Sequence, residues 1–191
     1  MLRTPLTSPY RGQNRKFVRG CSLIASLTNA GTHQSIADLQ CLERYIVLGD
    51  VMTLLLTAQE TQGEFTLYHV ASAYREDIAT PLHVHPIETQ YYRVMEGVLG
   101  IQRGDVCTTV SPGEIVVVPA GVPHRTWTAS HEPCTCLVLI TPGGIETSMR
   151  RIGIPAPHTA TPQPLVADSD IELVCEELFL AGMTPATCVS E

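Results

Sequence analysis

An all-β domain, a sandwich or barrel of short strands, is what this chain of 191 residues predicts. Three observations predict it. Charged residues make up only 16% of the chain, against roughly a quarter in soluble domains, too few to wet the outer faces of a helical bundle. Glycine and proline number 14 each, a density of turn formers suited to many short segments. From residue 46 to 141, short β-branched and apolar runs alternate with turn dipeptides at regular spacing. At 44% hydrophobic residues the chain is globular, and it is long enough for one domain with a sizeable core.

The elements follow in order. Residues 1–37 hold five basic groups (Arg3, Arg11, Arg15, Lys16, Arg19) and no acid. This fits an N-terminal extension, residues 1–45, that packs on the domain or on a partner subunit. A mitochondrial presequence is the alternative, although Pro5, Pro9 and Gly12 interrupt any amphipathic helix. Ile36, Leu39 and Leu42 have the spacing of a short helix. Strands are expected over 45–49 and 51–58, then, after a turn at Gln62-Gly63, over 64–72. Further strands are expected at 82–85, 90–95, 98–102, 106–110, 114–118, 124–129 and 134–141. Glu96-Gly97, Gly104-Asp105, Pro112-Gly113, Ala120-Gly121 and Glu132-Pro133 punctuate them. Cys134 and Cys136, two apart in the last run, should share one face as buried small hydrophobes.

Pro142-Gly143-Gly144 stops the β region. Ile145, Met149 and Ile152 could form one face of a short helix. Pro155, Pro157, Pro162 and Pro164 predict an extended surface linker. A final helix, capped by Ser169 or Asp170, would carry Ile171, Val174, Cys175 and Leu178 as its stripe and end at Gly182. The division is thus an extension over 1–45, a β domain over 46–152, and a linker with C-terminal helix over 153–191. No Lys or Arg follows Arg151, so this acidic tail could pair with the basic head within one chain or across a dimer.

Several functions are disfavoured. A formal charge of −7 argues against nucleic acid as main partner. Lys16 is the sole lysine, so a phosphate-binding GxxxxGK[ST] loop is absent and a Schiff-base lysine is not expected. No apolar run approaches the ~18 residues of a membrane span. The seven cysteines are odd in number and lack a CxxC, which suits reduced thiols in an intracellular, cytoplasmic protein.

The informative feature is His83-Val84-His85. Residues two apart on a strand point to one face, so the two imidazoles would converge, as a metal site requires. His124 follows the turn Pro119-Ala120-Gly121-Val122-Pro123 and can supply a third nitrogen. His69 is better explained as a surface or hydrogen-bonded residue, and His33, His131 and His158 lie in turn or linker contexts.

Here the chain resembles the cupins. Gly113-x5-Pro119-x-Gly121-x2-His124 matches their second motif. His83, His85 and Gly97, with Val94-Met95-Glu96 before the glycine, fit the first. The glutamate position of that motif falls on Gln90, and the last position of the second, commonly Asn, is Thr128. Two flanking segments, Thr61-Gln62-Gly63-Glu64-Phe65-Thr66 and Thr141-Pro142-Gly143-Gly144-Ile145-Glu146, are similar to those of quercetin 2,3-dioxygenase-like single-domain cupins.

The resemblance implies a small antiparallel jelly-roll barrel holding one divalent transition metal (Fe, Mn, Ni, Co, Zn or Cu) on His83, His85 and His124. Gln90 would stand in the fourth ligand position. An amide oxygen can coordinate, but an amide cannot act as a general base. Three neutral imidazoles would leave a divalent cation its full charge, which favours an anionic bidentate substrate such as an enolate or β-diketone. Glu88, two residues before Gln90 and of the same parity, could supply the missing carboxylate at the barrel mouth, although a solvated loop acid is its simpler explanation. Tyr92, Thr126 and Thr128 have the parity of pocket walls. The expected function is therefore a metal-dependent dioxygenase acting with O2 on a small enolisable or phenolic molecule. A non-oxidative isomerase, cyclase or lyase that tailors a secondary metabolite is the alternative, and a non-catalytic ligand-binding cupin the third. Small cupins are usually dimers, so a homodimer is expected.

Overall fold

The computed structural model describes residues 42–74, 79–162 and 184–185. Of the N-terminal extension expected over 1–45, residues 1–41 lie outside the described residues, as does the expected C-terminal helix, whereas Arg44 and Tyr45 already belong to the first strand. Twelve strands and one helix are present among them. The strands are β1 (Arg44–Val47), β2 (Asp50–Leu56), β3 (Thr66–Ser72), β4 (His83–Val84), β5 (Thr89–Glu96), β6 (Leu99–Arg103), β7 (Val106–Val110), β8 (Ile115–Val118), β9 (His124–Thr128), β10 (Cys134–Thr141), β11 (Ile154–Pro155) and β12 (Thr184–Pro185). The helix, α1 (Glu146–Ile152), follows β10. It is too short to cross a membrane, and among the described residues no helix is long and apolar enough to do so.

All pairings are antiparallel and build two sheets, ordered β11-β1-β2-β3-β10-β5-β8 and β12-β4-β9-β6-β7. The expected all-β jelly roll is present. Alternation in sequence becomes alternation in burial. On β10 the buried residues are Cys134, Cys136, Val138 and Ile140. On β5 Gln90, Tyr92 and Val94 are buried, whereas Tyr91 and Met95 are exposed. Register then aligns the inner rows: Tyr68, Val138 and Tyr92 lie side by side across three strands, and Ile140 lies beside Gln90. The core holds fully buried Ile101, Val94, Val118, Val138 and Ile140 from both sheets. Burying each such side chain stabilises the fold by roughly 1.5–3 kcal/mol before chain entropy is counted. Met149, on the predicted face of α1, joins this core at 4% exposure.

The local differences from expectation have local causes. The run expected over 51–58 stops at Leu56, because Glu60 accepts hydrogen bonds from the Thr57 amide (2.8 Å) and hydroxyl (2.7 Å) and folds the chain into a turn. The start of the proline-rich linker is a strand, since Ile154 and Pro155 pair with β1 at the sheet's edge, where a proline costs no ladder bond. β4 is only two residues long, with Pro81 and Pro86 close on either side.

Gly97 shows why its motif position demands glycine. Its φ is +70°, and a Cβ there would stand 2.3 Å from the Pro133 carbonyl oxygen. On the other sheet Trp127 lies opposite Gly100, and a Cβ on that glycine would meet the indole at 2.1 Å.

Candidate metal centre

Pairing of β4 with β9 sets His83 directly opposite His124. His85 follows just beyond β4. Its carbonyl accepts the Gly121 amide at 2.8 Å, so the turn before His124 is tied to the segment that carries His85. Gly121 reaches this position with a φ of +77°, a value that suits glycine.

The three histidines expected from sequence come together. One ring nitrogen of each lies within 4.8 Å of those of the other two. Ring centroids are 4.3 Å apart for His83 and His124, 5.1 Å for His83 and His85, and 5.5 Å for His85 and His124. Each outer nitrogen faces an acceptor. His83 Nδ1 donates to the Pro81 carbonyl at 2.7 Å, and His124 Nδ1 donates to the Val122 carbonyl at 3.0 Å. His85 Nδ1 faces a Glu88 carboxylate oxygen at 3.8 Å. These contacts fix the tautomer of His83 and His124 and leave Nε2 with its lone pair, the arrangement found around ligating histidines.

Charge favours the ligating form as well. Burial pushes the His83 imidazole below its usual value. Burial and the two neighbouring imidazoles hold His85 at about 3, and burial with His83 holds His124 at about 4. The cluster is neutral near pH 7 and has no proton to lose on coordination. A metal about 2 Å from all three nitrogens would draw the rings closer together. The His85 and Glu88 atoms that face each other are buried without a hydrogen-bond partner, and an electron-withdrawing cation on His85 would strengthen that contact. The residues present fit a divalent transition metal.

Gln90 is 2% exposed and touches this cluster. Its amide nitrogen lies 3.0 Å from His124 Nε2, and its carbonyl oxygen accepts the Tyr92 hydroxyl. Glu88 thus stands behind His85, whereas Gln90 stands at the inner face beside His124.

His83, His85 and Gln90 border a cavity of about 130 Å³ that opens to solvent on one side, and His124 stands behind its wall against Gln90. Its wall is chiefly aliphatic, with Tyr68, Tyr92, Thr126 and the Cys134–Cys136 pair (Sγ to Sγ 3.8 Å) among its polar atoms. Asp50 is the one formally charged residue among the described lining residues, and no Lys or Arg lines it. A smaller cleft shares Leu48, Asp50, Ser72, Thr80, Leu99 and Thr126 with the cavity. Thr128 lines that cleft and not the cavity, so of the two threonines only Thr126 reaches the main chamber. Tyr68 and Asp50 were not singled out in the sequence. Parity on β3 could have found Tyr68, but nothing at Gly49-Asp50 signals a cavity wall. His69 points away from the cavity between inward Tyr68 and half-buried Val70.

A family model described as "Cupin domain" matches residues 75–140. A curated protein, the probable oxidoreductase virH of Hypocrea virens, is 31% identical over 71 residues, 36% of this chain and 32% of that protein. The chain thus spans about a third of the length of the curated relative it matches. Among solved structures, KdgF from a Halomonas species has a TM-score of 0.51 at 14% identity, over 62% of this chain and 99% of that one. A predicted oxalate decarboxylase from Thermotoga maritima has a TM-score of 0.50 at 14% identity, over 58% of this chain and 99% of that one. At such identity the likeness is one of fold.

Proposed function

On the match of residues 75–140 to the cupin domain, we propose that this chain is a mononuclear metal-dependent dioxygenase acting on a small, uncharged or singly ionisable phenolic or enolisable molecule. The observation that carries this is the meeting of three neutral imidazoles beside a largely apolar cavity whose wall includes His83 and His85. A metal held by His83, His85 and His124 would supply Lewis acidity toward a substrate oxygen and O2.

The protein's own part is orientation and exclusion. The aliphatic wall takes up the body of the substrate and excludes water. Tyr92 and Thr126 offer hydroxyls to its polar edge. Burial keeps the Tyr92 phenol well above its usual titration range, so it stays a neutral donor. Gln90 cannot take a proton from the substrate, so the substrate must itself be acidic enough to bind as the anion, as phenols and β-diketones are. Phosphorylated sugars suit the cavity poorly, because it has no cationic side chain among its described lining residues. Arg125 is engaged with Gln102 at 2.8 Å, and Arg93 is exposed on the outer face.

A second reading is favoured by Gln90 itself. With no carboxylate beside the metal, the site could polarise a carbonyl and isomerise, cyclise or cleave the substrate without O2. Oxygen-electrode assays of metal-loaded protein over a phenol and β-diketone panel separate the two. O2 consumed in step with substrate supports the dioxygenase; product formed with no O2 uptake supports the alternative; ligand binding with no turnover supports a binding protein. A cytoplasmic homodimer belongs to the same proposal, and light scattering with cell fractionation tests it.

A further inference from the structure

We propose that cation binding at His124 turns the Gln90 amide over, and that this turn frees the Tyr92 hydroxyl hydrogen to bind a substrate oxygen in the cavity. The inference rests on the metal reading above, and it gives a role to the amide that stands where related sites carry a carboxylate.

His124 Nδ1 donates to the Val122 carbonyl, so Nε2 carries only a lone pair. Gln90 points an N–H at that lone pair from 3.0 Å. One lone pair cannot serve both an N–H and a cation. With a cation on Nε2, the positive edge of the amide would face a positive charge. A half-turn about the terminal side-chain bond presents the carbonyl oxygen there instead. The amide is nearly symmetric in shape, so both orientations fill the same buried space, and Gln90 is almost fully enclosed.

The consequence falls on Tyr92. Its hydroxyl now donates to the Gln90 carbonyl. After the turn it meets an N–H and must accept. Its own hydrogen then needs another acceptor, and Tyr92 lines the cavity. Tyr92 is 8% exposed and lines a cavity open to solvent, so water in the cavity is the acceptor that a substrate oxygen would displace. An ether, ketone or phenolate oxygen held beside the metal would satisfy it. A glutamate at 90 could not do this. Both its oxygens are acceptors, so Tyr92 would keep donating to it whether or not a cation is bound. Glutamine therefore couples metal loading to the donor state of the cavity wall, and Tyr92 becomes a substrate-binding residue only in the loaded protein.

The test uses metal-free full-length protein titrated with zinc alone, read without turnover. In the wild type the near-ultraviolet tyrosine band should move to the blue as the hydroxyl passes from donor to acceptor, complete at one zinc per chain. The side-chain amide cross-peaks of Gln90 in ¹⁵N spectra should shift with the same stoichiometry, a readout that needs no variant. Tyr92→Phe should bind zinc and lose the tyrosine shift. Gln90→Glu should bind zinc more tightly and also lose most of the shift. Zinc binding with unmoved Gln90 cross-peaks overturns the inference and leaves the metal reading standing. So does an equal tyrosine shift in Gln90→Glu, which would mark it as a direct effect of the cation's charge. No zinc binding at all overturns the metal reading and this inference with it.

Discussion

Glu88 carries the sharpest distinction at the scale of single residues. The sequence offered it as a catalytic carboxylate, and it faces the outer nitrogen of His85 at 3.8 Å. A group there orients the imidazole and strengthens its donation. Glu88→Ala should therefore lower metal affinity by about 10–100-fold, while activity at saturating metal is largely kept. Isothermal titration with zinc beside steady-state assays makes the check. Loss of kcat with metal affinity unchanged would instead make Glu88 a proton carrier. The convergence of His83, His85 and His124 was legible, because strand parity and two short motifs fix it. So was the inward direction of Gln90 and Tyr92 against exposed Tyr91. The hydrogen bonds that set the histidine tautomers were not legible. They run to the backbone carbonyls of Pro81 and Val122, and no side chain announces them.

Between elements, the two flanking segments singled out in the sequence meet in space. Gly143 donates its amide to the Gly63 carbonyl at 2.9 Å, and Gly144 donates to the Thr66 hydroxyl at 3.0 Å. That hydroxyl donates to buried Glu146 at 2.6 Å, and the Ala58 amide donates to the other carboxylate oxygen at 2.8 Å. One acid thus joins the turn before β3 to the start of α1. Burial raises Glu146, but the bonds from Thr66, its own amide and Ala58 outweigh that and hold it below its usual 4.5. The folded state therefore binds fewer protons than the unfolded one. The stabilisation is present above about 4.5 and drains as pH falls below that value. Glu146→Gln should cost about 2 kcal/mol at neutral pH and less in acid. Urea unfolding at both pH values reads this, and an equal loss at both would contradict it. Gly97→Ala should cost at least about 1–3 kcal/mol, seen as a lower Tm, because its φ is positive and the Pro133 oxygen occupies the Cβ position. Sequence placed most strands to within a residue or two, since turn dipeptides mark their ends. It overran β2 because Thr57 and Ala58, at the end of the expected run, already belong to the Thr57–Glu60 turn.

On the scale of the whole molecule, scarce charge and abundant turn formers led to the right fold class, and the motifs led to the jelly roll. Cavity volume and contents were less legible, since they depend on which inward rows of two sheets face one another. The row Tyr68–Val138–Tyr92 exists only through the register of β3, β10 and β5. The account rests on one metal held by three histidines from two segments of the chain. Isothermal titration of metal-free protein with zinc tests this most directly. It should show one site per chain in the wild type and none in His124→Ala, with Tm raised by zinc only in the wild type. No binding, or binding that survives His124→Ala unchanged, would contradict the account.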